Sequence, residues 1–345
     1  MKYNLIFLLA SIYSLNVVGQ EKNIDSTLFI NRVIETNTLI IGENHCSLSH
    51  LNIEFEILKK HMDNGQDLNL IIEQNDAVAS YLNLLFNKAS IGEIEEDSIA
   101  EILIIDSCDS ETPYLMDIDI LADCMCYNKR LFWKNLLYIY LKKYKSMGIN
   151  IKIHSMDITI PFNFKTNLSL LNEIFEVNTC LKEKFLNGGK EFKKLFRLIQ
   201  NQKASNSTIR GYINAINSYP LDFLINSEEG ELIINILKNS TSELQLDVYD
   251  ENFLEIREVL MAKKINNRIN QASKNVIITG SSHVFRGEEK SSLLKKINSV
   301  NSSLPMISVF FGFNYDDEIV PIGSSDIKIK SVYGIDFWVS SLSGR

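Results

Sequence analysis

Leu39-Ile40-Ile41-Gly42-Glu43-Asn44-His45 and, much later in the chain, Val276-Ile277-Ile278-Thr279-Gly280-Ser281-Ser282-His283 share one form: a short apolar run, a glycine, and a histidine three places on. A run of β-branched residues ending on glycine predicts a buried strand that leaves a sheet through a tight turn. In open α/β sheets ligands bind beyond the carboxyl ends of the strands, so both histidines are expected to face one crevice. Of only five histidines in 345 residues, two stand at these places.

Working outward, Leu51, Phe55, Leu58 and Met62 keep helical spacing after the first strand, and Gly65 is placed to end that helix. Leu68 to Ile72 then reads as a second strand that ends on Glu73. This is a βαβ pattern, which predicts parallel strands and a right-handed connection. A third strand, Asn150 to Met156, delivers Asp157 at its carboxyl end, and a fourth, Asn275 to Thr279, ends in the second motif. Ser308 to Phe311 reads as a fifth strand and Phe337 to Ser340 as an edge strand.

Helical patterns fill the remainder. Ile24 to Glu35 forms one helix before the first strand, and a long one runs through Leu131, Leu136, Tyr140 and Tyr144 to Gly148. From about 168 to 271 the chain is again helical, with breaks near Asn187-Gly188-Gly189, Ala204 to Ser207, Tyr219-Pro220 and Gly230. The expected fold is α/β: a mainly parallel sheet with flanking helices, and large helical insertions at about 76–147 and 168–271 that form a cap. Residues 20–345 are read as a single domain of this kind.

Composition narrows the function. With 45% hydrophobic and 23% charged residues the chain is an ordinary globular protein with material for a sizeable core. A net charge of −8 and a pI near 5.3 argue against a nucleic-acid partner, which calls for a basic face. The expected partner is a small-molecule or peptide substrate. Met1-Lys2-Tyr3-Asn4, the apolar stretch that follows and the exit Val17-Val18-Gly19 read as a secretory signal covering residues 1–19, with Gln20 as the mature N-terminus. The stretch is short for a membrane span, and no cysteine follows it to carry a lipid, so a secreted or periplasmic protein without stable membrane insertion is expected. Five cysteines, Cys46, Cys108, Cys124, Cys126 and Cys180, allow at most two internal disulfides.

The strand ends therefore offer Glu43 with His45, Glu73, Asp157 and His283. Such a set serves either as ligands for a divalent metal (Mn, Co or Zn) or as a metal-free acid and base group. In the metal version His45, His283 and one of Glu43 or Glu73 hold the ion, which lowers the pKa of a bound water. In the metal-free version His45 is the base, Glu43 or Glu73 orients it, and His283 with Arg257 steadies developing negative charge. The plain alternative is a pair of glycine turns followed by polar groups satisfied at a sheet edge. His154 is expected in the core or at an edge, and His61 on a solvated helix face. Arg257 reads equally as a substrate-binding cation or as a partner of Glu255 or Glu258. There is no HExxH, no phosphate-binding glycine loop and no GxSxG elbow, since in Gly280-Ser281-Ser282-His283-Val284 a valine stands where the closing glycine would be.

The two GxxH motifs, the strand-terminal Ile71-Ile72-Glu73 and the segment Arg257-Glu258-Val259-Leu260-Met261-Ala262 resemble the broad superfamily that unites Tiki/TraB-like proteases, ChaN-like haem-binding proteins and erythromycin-esterase-like hydrolases. Met156-Asp157 is similar to the strand-end Asp of the esterase-like branch, while the spacing Glu43-Asn44-His45 fits the Tiki and ChaN branches better. The resemblance implies a hydrolase of ester or amide bonds with a His/Glu site. Its alternative is a ChaN-like haem-binding or uptake protein without catalysis, in which His50 stands near the place of a further family histidine.

Overall fold

The computed structural model describes residues 22–23, 26–43, 47–96, 127–158, 167–168, 170–172, 175, 179–201, 206–218, 230–231, 233–234, 236–238, 252–286, 289–290, 292–300, 306–311, 327–332 and 335–341. The expected signal segment, His45, and Cys46, Cys108, Cys124 and Cys126 lie outside these residues, whereas Cys180 is an exposed free thiol.

In chain order the strands are β1 (Lys22–Asn23), β2 (Thr38–Glu43), β3 (Leu68–Ile72), β4 (Ile151–Ser155), β5 (Lys274–Gly280), the short pair β6 (Phe285–Arg286) and β7 (Glu289–Lys290), β8 (Met306–Phe311), β9 (Ile327–Val332) and β10 (Ile335–Ser341). The principal helices are α1 (Ser26–Glu35), α2 (Leu48–Asp63), α3 (Asp76–Ile91), α4 (Tyr127–Ile139, continued by a π turn over Tyr140–Tyr144), α5 (Thr179–Asn187), α6 (Lys190–Asn201), α7 (Asn206–Ser218), α8 (Phe253–Arg268), α9 (Ser281–Val284) and α10 (Ser292–Val300). The chain forms two compact units, residues 1–69 with 265–345, and residues 70–264.

The first unit carries most of the sheet, in the hydrogen-bonded order β1-β9-β10-β8-β2-β5 and then the start of β3. β10 with β8, β8 with β2, and β2 with β5 are parallel, while β9 runs antiparallel to β10 and to β1. Every residue of β2 is buried, as a parallel strand covered on both faces requires. The fold is α/β with a mainly parallel sheet flanked by helices, as the apolar runs predict.

Phe337 to Ser340 is not an edge strand, because β10 lies between β8 and β9. The interior place suits the segment: Phe337 and Val339 are buried, and Asp336 anchors it by accepting hydrogen bonds from the Ser308 N–H and hydroxyl, both at 2.8 Å.

In the second unit β4 lies beside the end of β3, with the Met156 N–H donating to the Ile72 carbonyl at 3.0 Å. Its burial alternates with Lys152 exposed, the pattern of a strand at a sheet border. Both expected insertions are helical where described. In α6, Phe192, Leu195, Phe196 and Ile199 recur at helical spacing and are buried, while Lys193, Lys194 and Arg197 are exposed. The Phe185 ring of α5 meets Phe192 edge-on at 5.2 Å. Gly65 and Gly148, expected as helix ends, have φ of +74° and +73°, backbone that favours glycine.

Candidate functional site

In the first unit the two motifs lie side by side. β2 and β5 pair in parallel register from Thr38 with Asn275 to Gly42 with Thr279 and Glu43 with Gly280. Both strands run one residue further than the glycine-turn pattern suggests, so Gly42 lies within the ladder rather than in a turn. Its lack of a side chain is needed for another reason. A Cβ there would lie 2.9 Å from the Cβ and Cγ2 of Val284 and 3.2 Å from the Ser281 Cα, so only glycine lets α9 fold back across the end of β2.

This close return buries the motif's polar groups. Glu43 is 2% exposed and His283 6% exposed, and Ser281 is buried too. α2 starts just past β2 and turns further ionisable groups inward: His50 and, one turn on, Glu54, both buried. The His50 ring lies 5.1 Å from that of Phe311, the last residue of β8. The strand ends of this unit thus collect two carboxyls and two imidazoles, and the buried residues of the unit include no Lys or Arg among those described.

His61 does not lie on a solvated face; it is 1% exposed. Its Nδ1–H donates to Gln66 Oε1 at 2.8 Å, and burial, aided by the charge of Lys274, holds its pKa below the ordinary 6.5 against the opposing effect of that hydrogen bond. The sequence pattern misplaces it because α2 is apolar at Ile57, Leu58 and Met62 on either side of it. His154 is half-buried on β4.

In the second unit Glu73, at the end of β3, and Asp157, just past β4, meet on Arg257 of α8. The guanidinium grips Asp157 with two donors, Nε to Oδ1 at 2.8 Å and Nη2 to Oδ2 at 2.7 Å, and Nη2 also reaches Glu73 Oε1 at 3.1 Å. Such a two-pronged bond fixes both distance and plane. Asp157 Oδ1 further accepts from the Ile158 N–H at 2.8 Å.

Three residues that the sequence reading did not single out complete this cluster. Lys264 donates to Asp76 Oδ2 at 2.9 Å and to the backbone carbonyl of Asp157 at 2.7 Å, and the Ser155 hydroxyl bonds Asp76 Oδ1. Lys264 stands seven residues after Arg257 on α8, so helical spacing could have placed it on the same face.

The ligand fit is decided by the donors. Among the described residues no three His, Cys, Asp or Glu side chains are grouped as a metal ion needs, and His45, the first of the expected ligands, lies outside those residues.

No protein-family model matches the chain, and no curated protein matches its sequence. Among solved structures it is similar to a Bacillus cereus protein, at 12% identity over 93% of this chain and 94% of that one, with a TM-score of 0.51. It is also similar to ChaN of Campylobacter jejuni, solved with haem bound cofacially, at 11% identity over 93% and 97% of the two chains and a TM-score of 0.40. An erythromycin esterase variant in its open conformation gives 12% identity over 85% and 74%, with a TM-score of 0.44. At 12% identity the likeness to the Bacillus cereus protein speaks of fold alone.

Proposed function

We propose that the protein is a hydrolase of ester or amide bonds whose centre is built from Glu43, His45 and His283. The observation that carries this reading is the register of β2 against β5, which sets Glu43 beside Gly280 and so brings two like motifs to one end of one strand pair. His45 follows Glu43 by two residues and is the general base that takes a proton from water or from the attacking group. Glu43, buried at the strand end, orients the imidazole and favours its protonated form during the reaction. His283 donates a hydrogen bond to the oxygen on which negative charge develops. The substrate is a small molecule or a peptide, and the protein acts after export as a secreted or periplasmic enzyme. Among the described residues no helix is long and apolar enough to cross a membrane.

The test is a panel of chromogenic esters and peptide amides offered to the exported protein, with a haem titration run in parallel. Turnover of at least one panel member, lowered about 10²–10³-fold in His283→Ala, is the expected result. No turnover, together with a haem absorption band that disappears in His45→Ala, would replace this reading with that of a haem carrier. Mass spectrometry of the exported protein is expected to find an N-terminus at Gln20; an intact Met1 would overturn the export step.

A further inference from the structure

We propose that helices α5 to α7 of the second unit form a basic surface that docks the protein on an anionic lipid bilayer. The charge is concentrated there. Residues 179–218 hold eight Lys or Arg against two Glu, a charge of +6 in a chain of −8, so the remainder carries −14. Such asymmetry within one chain marks a region with an anionic partner, which the net charge alone conceals.

The fold turns these charges outward. α6 buries one stripe, Phe192, Leu195, Phe196 and Ile199. At about 100° per residue, Lys190, Lys193, Lys194 and Arg197 fall within an arc of about 100° centred opposite that stripe, and all four are exposed. They span about 10 Å along the axis, close to one screening length in physiological salt, so their fields add. Neighbouring helices extend the ridge on either side. The Lys182 ammonium of α5 lies 5.4 Å from the centre of the Phe196 ring, and α7 passes α6 where a Cβ on Gly211 would lie 3.5 Å from Leu198 Cδ1, next to the exposed Arg210. Glu191 accepts from Lys194 at 3.0 Å, but between side chains 33% and 56% exposed such a pair is weak, and the face keeps its positive sign.

The residue types favour a bilayer over a nucleic acid. Three of the four charges on α6 are lysines, compact point charges without the planar fork that reads phosphate or base geometry, and mobile lipid headgroups gather beneath such charges wherever they stand. Stacking on single strands needs exposed aromatic rings. Among the described residues of α5 to α7 every Phe and Tyr is buried: Phe185, Phe192, Phe196 and Tyr212. None of the exposed large apolar side chains among the described residues lies on these helices, so no anchor inserts, and binding is electrostatic, reversible and sensitive to salt. The proposal is independent of the hydrolase reading: it concerns where the protein sits, not what it cleaves.

The test is sedimentation of the exported protein with vesicles of phosphatidylcholine alone or mixed with phosphatidylglycerol, across a salt series. Binding to the phosphatidylglycerol vesicles only, lost as salt rises from about 0.05 to 0.5 M, is the expected result. Each Lys or Arg near an anionic surface tightens binding about fivefold, so replacing Lys190, Lys193, Lys194 and Arg197 together by Gln should weaken it by about 100-fold or more. Gln at four exposed positions elsewhere, Lys60, Lys152, Lys263 and Lys295, removes the same net charge and should weaken it by less than about fivefold. Thermal melting establishes that each variant is folded. Should the α6 variant fail to fold, the pair Lys193→Gln and Lys194→Gln is judged instead, with a loss of about 25-fold expected. No binding of the wild type to phosphatidylglycerol vesicles at low salt, unchanged binding in the α6 variant, or equal losses in the two fourfold variants would overturn the proposal. So would tighter binding to a random-sequence DNA or RNA oligonucleotide than to the vesicles, which would assign the face to nucleic acid.

Discussion

The two ends of the strand pair β2 and β5 are built from different chemistry. At the amino end Asn275, 1% exposed, closes a neutral amide network: it accepts from Asn69 Nδ2 and from the Asn270 N–H, both at 2.8 Å, and donates to the carbonyls of Asn270 at 2.9 Å and Asn37 at 3.3 Å. Asn69 Nδ2 in turn donates to the Arg268 carbonyl at 2.8 Å. Uncharged groups that satisfy one another cost little to bury and hold three strand starts in place. At the carboxyl end Glu43 and His283 are buried instead, groups whose ionisation makes burial expensive. A fold needs an end of the first kind. On the proposed hydrolase reading, the second kind serves proton transfer.

That contrast is open to attack from both sides. The largest effect is expected at the carboxyl end: His283→Ala should lower kcat/KM by about 10²–10³-fold with a melting temperature close to wild type, because the loss is of a donor to developing charge. If activity survives and stability alone falls, His283 belongs with the structural groups. Next comes Gly42→Val, which forces carbon against Val284 and the Ser281 backbone; chemical denaturation should find it less stable by about 3 kcal/mol. An unchanged unfolding midpoint would mean that α9 does not lie against β2.

Asn275→Ala should cost about 2 kcal/mol, since it strips partners from several buried amides, yet leave kcat/KM within a factor of two. A large loss of turnover in this variant would erase the division of labour between the two ends.

The smallest effect is one of pH. His61 is held neutral by burial, and protonation would add an N–H at Nε2, which has no acceptor among the described residues. Its folded pKa lies below the unfolded value near 6.5, so the unfolded chain binds the proton more readily. Stability should therefore be full above that pH and fall as pH drops through it toward the folded value. His61→Gln should flatten this part of the profile, as read by urea titrations at a series of pH values.

What the sequence revealed, and what it hid, follows the same physics. β2 and β5 were legible because strands buried on both faces are written as apolar runs, and β3 and β8 keep such runs around one polar residue each, Asn69 and Ser308. The likeness of the two motifs sets Gly42 equivalent to Gly280, but the register pairs Gly42 with Thr279, one residue earlier. β9 escaped because Ile327-Lys328-Ile329-Lys330 alternates and pairs antiparallel, a weaker signal, and β1 because two residues carry no pattern at all.

In the second unit the strand-end Glu73 and Asp157 were legible, whereas Arg257 offered two readings that only its partners decide. Lys264 and Asp76 were hidden by distance: 188 residues separate them, and no local pattern encodes a bond of that span. His61 was misread because helical spacing gives a face, not the width of the stripe that the core covers.

The most direct test of the central claim is the ratio of kcat/KM for His45→Ala to that of the wild type, on whichever ester or amide the panel identifies, with both proteins shown to melt at the same temperature. Loss of a general base predicts a fall of about 10²–10⁴-fold. A folded His45→Ala protein that hydrolyses the substrate at the wild-type rate would contradict the account.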